Sequence, residues 1–274
     1  MKFWKMQALG NDYIVIDNRN EKIDTIEATR LAKKLCERKF SVGADGLLLV
    51  SYSKKADAKM RIFNADGSEA EMCGNGIRCF SKYCYENGIV KKDEFDVETA
   101  AGIKHIVLTL EKDNVKAVKV DMGAPSWERK SLPMKGEGTC INEDLIIEGE
   151  TYKVTCLSMG NPHCVIFVDN VDDYPVERIG PIVEKHEAFP KRVNVGFAQV
   201  LNKDEMKLRV WERGCGETLA CGTGTCAAVA AANALKKVGN KVTVHLRGGD
   251  LQIEVSKTIL MTGPAEKVFE GTLF

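Results

Sequence analysis

The residues best suited to chemistry are two cysteines, each followed by closely spaced glycines. The pattern Cys-Gly-x-Gly begins at Cys73 and again at Cys221, and an apolar segment follows each copy at once. A thiol at a helix N-terminus lies beside unpaired backbone N–H groups and partial positive charge, which stabilise a thiolate and bind a carboxylate. Glycines let a ligand approach those amides. Two such thiols facing one carbon predict a two-base epimerisation, in which one removes a proton and the other returns one.

The two cysteine motifs belong to an internal repeat. Residues 60–64 align with residues 208–212, and the match continues without a gap to Cys73 and Cys221, at an offset of 148 residues between the cysteines. Two copies at matched positions favour function over packing as the reason for these cysteines. A thioester mechanism needs one nucleophilic cysteine and a base, so it leaves a second equivalent thiol unexplained.

A second landmark extends the repeat and sets the predicted domain limits. Gly10-Asn11 precedes an apolar run, and Gly160-Asn161 does so 150 residues later. A chain of 274 residues is long enough for two ordinary domains. We therefore predict an N-terminal domain of residues 1–120, joined by the tail 266–274, which carries the first cysteine. Residues 121–265 form the C-terminal domain, which carries the second.

Hydrophobic patterns predict the elements that hold these motifs. An amphipathic surface helix is expected at residues 26–38, whereas the segments 77–86 and 225–235 are apolar enough to be buried helices. Short β-branched runs bounded by Gly, Asn or Asp predict strands at 13–16, 46–50, 106–110, 165–168, 242–246 and 253–255. We expect an α+β fold of two similar domains, each a curled sheet around a central helix, with the active site in the cleft between them.

Charge and hydropathy exclude several classes of protein. The 39 basic residues balance the 39 acidic ones and form no basic face, so the pattern of a nucleic-acid binder is missing. No stretch approaches the roughly 18 apolar residues of a membrane span, and the N-terminus lacks the apolar core of an export signal. We expect a cytoplasmic protein that binds a small molecule and neither nucleic acid nor membrane.

The ten cysteines also allow a disulfide or metal interpretation. Disulfides rarely persist in a reducing cytosol, so free thiols are expected. The spacing of the three cysteines that begin at Cys73 recurs from Cys215, as paired metal sites would. The repeat instead aligns Cys73 with Cys221 and Cys215 with Gly67, and no Cys-x-x-Cys pair is present. No metal is therefore expected, and a thiol-based redox or metal-binding protein remains the alternative from another class.

Longer motifs around the cysteines resemble those of diaminopimelate epimerases. They are Asn64-x-Asp66-Gly67-Ser68-x4-Cys73-Gly74-Asn75-Gly76-x-Arg78, Met159-Gly160-Asn161-Pro162-His163, Arg192-Val193-Asn194 and Glu212-Arg213-Gly214-x-Gly216-Glu217-Thr218-x-Ala220-Cys221-Gly222-Thr223-Gly224. The resemblance covers the chain essentially from end to end. It implies an isomerase that interconverts LL- and meso-2,6-diaminopimelate in lysine and cell-wall precursor biosynthesis. It also implies a homodimer that needs neither pyridoxal phosphate nor metal.

The same resemblance implies roles for individual residues. Cys73 and Cys221 carry the proton, and His163 and Glu212 tune the protonation of the thiols. Asn64 and Glu212 flank the reacting amino group. The backbone amides that bind the reacting carboxylate are those of Gly74, Asn75, Gly222 and Thr223. The side chains that bind the distal amino-acid end are those of Asn11, Asn161, Asn194 and Arg213.

One departure from the family pattern and one alternative family bear on the substrate. Some family members carry Gln where this chain has Gly46, so one distal polar contact is expected to be absent or made by water. Proline racemases and hydroxyproline epimerases share the two-cysteine arrangement, but they typically have His at the position of Asn75. A cyclic substrate would also not need Arg213. These enzymes are the alternative within the same reaction class.

Overall fold

The computed structural model describes residues 1–273, which divide into two compact units. Residues 1–121 and the segment from residue 262 onward form unit 1, and residues 122–261 form unit 2. Phe274, the last residue of the predicted tail, lies outside the described residues. That residues 1–120 with 266–274, and residues 121–265, each fold as a domain stays a prediction.

Strands dominate both units. In chain order they are β1 (Lys2–Ala8), β2 (Asn11–Asp17), β3 (Gly46–Ser51), β4 (Ala58–Asn64), β5 (Glu69–Ala70), β6 (Glu94–Thr99), β7 (Gly102–Glu111), β8 (Asn114–Asp121), β9 (Cys140–Ile147), β10 (Glu150–Ser158), β11 (Pro162–Phe167), β12 (Asn194–Val200), β13 (Glu205–Glu212), β14 (Gly216–Thr218), β15 (Lys241–Leu246), β16 (Gly249–Val255), β17 (Ile259–Gly263) and β18 (Glu266–Thr272). The α-helices are α1 (Thr25–Leu35), α2 (Gly74–Glu86), α3 (Val176–Glu184) and α4 (Gly222–Ala234), and a 3₁₀ turn spans Arg129–Ser131. None of the described helices is long and apolar enough to span a bilayer.

The sheets of the two units are built in the same way. In unit 1, β18 and β2 pair antiparallel with β1, β2 runs parallel to β3, β3 is antiparallel to β4, and β4 is parallel to β6. In unit 2, β9 and β11 pair antiparallel with β10, β11 runs parallel to β12, β12 is antiparallel to β13, and β13 is parallel to β15. An antiparallel strand, β7 or β16, comes next in each. The repeat in the sequence is thus a repeat of topology.

A helix packs inside each sheet. In unit 1, α2 contacts β1, β2, β3, β4 and β8, and in unit 2, α4 contacts β10, β11, β12, β13 and β16. Gly222, Gly224 and all residues from Thr225 to Ala232 are buried, because small apolar side chains cover every side of α4. The predicted α+β class, with a sheet wrapped around a central helix in each half, is confirmed.

The other α-helix of each unit, α1 or α3, lies on the outer face of its sheet. In unit 1, Leu31 and Leu35 of α1 pack with Ile14 and Leu47 in one buried cluster. The N-terminus of α1 is capped by Asp24, whose carboxylate accepts from the Glu27 amide at 2.8 Å. The predicted extension of this helix to residue 38 is wrong, because it ends at Leu35.

The outer helix of unit 2, α3, has no counterpart among the predicted elements. Gly180 and Pro181 lie within it, and both residue types lower helix propensity. Packing requires the glycine, since a Cβ at Gly180 would lie 2.6 Å from Cγ of Trp211. Tertiary contact therefore holds a helix that the local sequence disfavours.

Candidate active site

Both cysteines lie at helix N-termini. Cys73 is the N-cap of α2 and Cys221 the N-cap of α4, with extended backbones of φ −142°, ψ 125° and φ −127°, ψ 112°. Their carbonyls accept the first helical hydrogen bonds, from Ile77 and Thr225, both at 2.9 Å. Neither thiol caps its helix. The first-turn amides have no partners within the helix, so each end attracts an anion.

In unit 1 a compact polar network surrounds the Cys73 thiol. Tyr13 Oη lies 2.9 Å from Cys73 Sγ and 2.6 Å from Asn11 Oδ1. The same Asn11 oxygen accepts from Asn75 Nδ2 at 3.2 Å and lies 3.8 Å from the sulfur. The structure thus brings together Asn11, Cys73 and Asn75, which the sequence predicts as site residues, and adds Tyr13.

A cluster of charged side chains orients Asn11 through its amide nitrogen. Its Nδ2 donates to Asp45 Oδ2 at 2.6 Å, and Arg38 donates to both Asp45 and Asp12. Lys5 forms an ion pair with Asp12 at 2.7 Å. Burial acts to raise the pKa of Asp12, but Arg38 and Lys5 hold it below its ordinary value. Because the amide nitrogen of Asn11 is held by a carboxylate, its oxygen points toward the thiol network.

Arg78 fixes the first turn of α2. Its side chain is fully buried and donates to the Gly74 carbonyl (3.0 Å), Asn75 Oδ1 (3.0 Å) and the Pro264 carbonyl (3.1 Å). Removing a buried donor leaves each of its acceptors without a hydrogen bond, which costs about 1–3 kcal/mol of stability for each acceptor. Arg78 therefore holds in place the turn whose amides are predicted to bind a carboxylate, a role that the motif alone did not reveal.

The Cys221 thiol in unit 2 has a different environment. Burial, and then the nearby Glu212 carboxylate, raise the pKa of Cys221 well above its ordinary value. Thr223 Oγ1 lies 3.6 Å from the sulfur, and Glu212 Oε1 accepts from Thr218 Oγ1 at 2.7 Å. A Cβ at Gly224 would lie 3.3 Å from the sulfur, so this glycine also makes room for the thiol. Burial and Glu212 outweigh the Thr223 contact, which lowers the pKa, and so favour the protonated form of Cys221.

His163 is buried and neutral. Burial and the Arg213 cation lower the pKa of His163 to about 3. Its Nε2 lies 2.9 Å from Asn161 Oδ1, and a neutral ring that carries its proton on Nε2 donates to that oxygen. Any influence of His163 on a thiol therefore comes from hydrogen bonding, since the ring carries no charge near neutral pH.

The predicted distal residues of unit 2 are braced by backbone. Asn194 Oδ1 accepts from the Arg213 amide at 2.9 Å, and its Nδ2 donates to the Pro162 carbonyl at 2.8 Å. The exposed Arg213 guanidinium donates from Nη1 to the Lys191 carbonyl at 3.3 Å. Asn194 thus positions the backbone of Arg213, in addition to any contact with a ligand.

Equivalent positions in the two units carry related groups. Tyr13 is paired in register with Gly46, as His163 is with Asn194. Tyr13 binds Asn11, and His163 likewise binds the asparagine two residues before it. The sequence motifs do not mark Tyr13 as a site residue. The available signal is its place two residues after Asn11, which matches the place of His163 after Asn161.

The positions that precede the cysteines differ in charge and contacts. Asn64 is exposed and donates from Nδ2 to Ser68 Oγ at 2.9 Å, outside the Tyr13 network. Its counterpart Glu212 acts directly on the pKa of Cys221. Within residues 1–273, no three His, Cys, Asp or Glu side chains are grouped to hold a metal ion.

The charge of Glu212 gives a testable asymmetry. In a Glu212→Gln variant the pKa of Cys221 should fall, because an ionised carboxylate no longer opposes the thiolate. At pH 8 the rate of alkylation of Cys221 by iodoacetamide should rise about tenfold, the effect of one pKa unit. Peptide mass spectrometry measures this rate, with Glu205→Gln on the same strand as the control. An unchanged alkylation rate would show that Glu212 does not govern the thiol.

The chain is similar along nearly its whole length to proteins of one family. The family model for diaminopimelate epimerase matches residues 3–128 and 155–268. The diaminopimelate epimerase of Moorella thermoacetica is 53% identical over 275 residues, covering 99% of this chain and 98% of the relative. That of Methanococcus maripaludis is 48% identical and covers 100% and 99%.

Solved structures extend the likeness to the fold. A phenazine biosynthesis protein of the PhzF family from Bacillus anthracis has a TM-score of 0.74 at 19% identity, covering 100% of this chain and 99% of that one. A hydroxyproline epimerase from Agrobacterium vitis also has a TM-score of 0.74, at 15% identity and with 99% and 90% covered. At these identities the likeness establishes a shared fold alone.

Proposed function

Because this chain belongs to the diaminopimelate epimerase family, we propose that it interconverts LL- and meso-2,6-diaminopimelate by proton transfer at one α-carbon. The observation that carries the proposal is the pair of cysteines at equivalent helix N-termini, Cys73 before α2 and Cys221 before α4. One thiol has a tyrosine hydroxyl beside it and the other a carboxylate.

Proton transfer follows from these groups. The thiolate of one cysteine takes the α-proton, and the electron pair of the C–H bond moves toward the α-carboxylate. The thiol of the other cysteine then gives its proton to the opposite face of the carbon, so the two cysteines exchange protonation states. Charge that develops on the carboxylate is stabilised by backbone N–H groups. The amides proposed for this are those of Gly74, Asn75, Gly222 and Thr223, at the first turns of the two helices.

The remaining side chains are proposed to bind and orient the substrate. Asn64 and Glu212 flank the reacting amino group, and Glu212 with His163 biases the protonation of the thiols. Arg213 binds the distal carboxylate, a contact that suits an exposed guanidinium. The residues that complete the distal site are Asn11, Asn161 and Asn194.

We further propose that the protein is a cytoplasmic homodimer and that it uses neither pyridoxal phosphate nor metal. In each chain, units 1 and 2 are proposed to be the two domains of the repeat. The balanced charge of the chain and the family resemblance support these proposals. Light scattering would measure the mass in solution. Dialysis against a chelator should leave activity unchanged, and activity that returns only on adding metal or pyridoxal phosphate would contradict the proposal.

The decisive experiment follows LL-diaminopimelate in heavy water with the purified chain. Chiral analysis should show the meso form, and early product should carry deuterium at the inverted carbon while unreacted substrate stays largely unlabelled. Two bases produce this pattern because the thiol that delivers the proton exchanges with solvent. Product that retains the original hydrogen would exclude the mechanism. Proline and lysine are the controls, and turnover of proline alone would replace the proposal with a proline racemase activity.

A further inference from the structure

Tyr13 is buried, yet its hydroxyl lies beside a thiol that the proposed function assigns to catalysis. Its side chain comes from β2, and its Oη is 2.9 Å from Cys73 Sγ. We propose that Tyr13 is a positioning residue that stabilises the thiolate of Cys73 by donating its hydroxyl hydrogen bond to the sulfur. The inference rests on the proposed role of Cys73 in proton transfer.

Counting hydrogens shows how the network serves both states of the thiol. A phenol has one hydrogen to donate. When Cys73 is a thiol, Tyr13 donates to Asn11 Oδ1 at 2.6 Å and Oη can accept from the S–H group. When Cys73 is a thiolate, the sulfur can only accept, so the phenol hydrogen turns to it. Asn11 Oδ1 still accepts from Asn75 Nδ2, at 3.2 Å. Rotation about the C–O bond of the phenol turns the hydrogen from Asn11 Oδ1 to the sulfur. The 2.6 Å separation of the two oxygens must then lengthen, because no hydrogen lies between them.

The hydroxyl keeps its proton throughout. Burial and the adjacent Cys73 raise the pKa of Tyr13 well above its ordinary value. Cys79 of α2 and Asp45, which holds Asn11, act in the same direction. Burial raises the pKa of Cys79 to about 12, so that thiol stays neutral. Tyr13 is therefore a permanent donor and does not compete for the proton that moves in the reaction.

The surrounding backbone leaves room for this ring. A Cβ at Gly46 would lie 3.2 Å from Cε1 of Tyr13 and 2.9 Å from the Phe63 carbonyl oxygen. A Cβ at Gly76, in the first turn of α2, would lie 3.5 Å from both Cζ of Tyr13 and Cβ of Cys73. The position where the sequence lacks a polar side chain, Gly46, is thus packed against the Tyr13 ring.

The two thiols have different neighbours. A hydrogen-bond donor favours the charged form of its partner, whereas a neighbouring carboxylate disfavours it. Cys73 faces the hydroxyl of Tyr13, whereas burial and Glu212 raise the pKa of Cys221. A two-base reaction needs one thiolate and one thiol together. The Tyr13 hydroxyl supplies the bias toward the thiolate at Cys73.

The test is the reactivity of Cys73 in the substrate-free protein. Iodoacetamide alkylation of each cysteine is followed by peptide mass spectrometry from pH 5 to 10 in wild type and Tyr13→Phe. At pH 7 the alkylation rate of Cys73 should fall about tenfold, with its pH profile displaced upward by about one unit. The control Tyr83→Phe removes the hydroxyl of another buried tyrosine of unit 1. In this variant the pH profile of Cys73 alkylation should match that of wild type.

A second substitution guards against a packing effect. Placing 3-fluorotyrosine at position 13 makes the phenol a stronger donor with almost the same shape, so Cys73 should be alkylated about threefold faster at pH 7. Wild-type profiles in both Tyr13 variants would overturn the inference. Since no substrate is used, that result would leave the epimerase proposal standing. Conversely, failure of the wild-type protein to epimerise diaminopimelate would overturn the epimerase proposal without affecting the Tyr13–Cys73 measurement.

Discussion

Replacing either Cys73 or Cys221 by alanine should lower epimerisation of diaminopimelate by about 10³-fold or more, in both directions. Each thiol is proposed to be base in one direction and acid in the other, so neither direction survives the loss of one. General acid or base catalysis typically contributes about 10²–10⁴-fold, and here both roles fail together. Chiral analysis of product from each isomer measures the loss.

Cys215→Ala is the matched control, since Cys215 is exposed and has no proposed role. Its rate should stay near that of wild type. Circular dichroism should show all three variants folded, because alanine at an N-cap costs only about 1 kcal/mol and neither thiol caps its helix. Near-normal epimerisation by either single variant would end the paired-thiol mechanism while leaving family membership intact.

The fold could be predicted from the sequence because the internal repeat shows the same motifs in both halves of the chain. Matching Cys73 with Cys221 predicted the two central helices, and the apolar run after Cys221 predicted burial on every side, as α4 shows. Boundaries were less accessible. Strand β7 begins at Gly102, four residues before the predicted start, because Gly102, Lys104 and His105 are not β-branched and interrupt the β pattern there.

The candidate site was predictable only as residue types. Motifs named Asn11 and Asn75, but only side-chain geometry reveals that both meet at Tyr13 beside Cys73. In an apolar strand a tyrosine is indistinguishable from a core residue by pattern. The buried Arg78 was hidden for another reason. Its partners include the carbonyl of Pro264, whose contact depends on the chain returning to unit 1 near its end.

Substrate choice should depend on Arg213. In an Arg213→Met variant, kcat/KM for diaminopimelate should fall about 100-fold, equivalent to about 2.7 kcal/mol and in keeping with about 1.5–3 kcal/mol for each hydrogen bond to a charged group. Its backbone amide still donates to Asn194 Oδ1, so the fold of the segment should persist. Arg178→Met removes an exposed ion pair with Glu148 in the same unit and should cost little.

Lysine separates binding of the distal carboxylate from general damage, because it has the distal amino group of diaminopimelate but not the distal carboxylate. Any slow turnover of lysine should be the same in wild type and Arg213→Met, since the guanidinium has nothing to bind in either case. The preference for diaminopimelate over lysine should therefore shrink by the same factor of about 100. An equal loss on both substrates would mean that Arg213 acts on the reacting end, for example through its effect on the pKa of His163. That outcome would move the specificity of the site to the asparagines Asn11 and Asn161, whose oxygens are held by Tyr13 and His163.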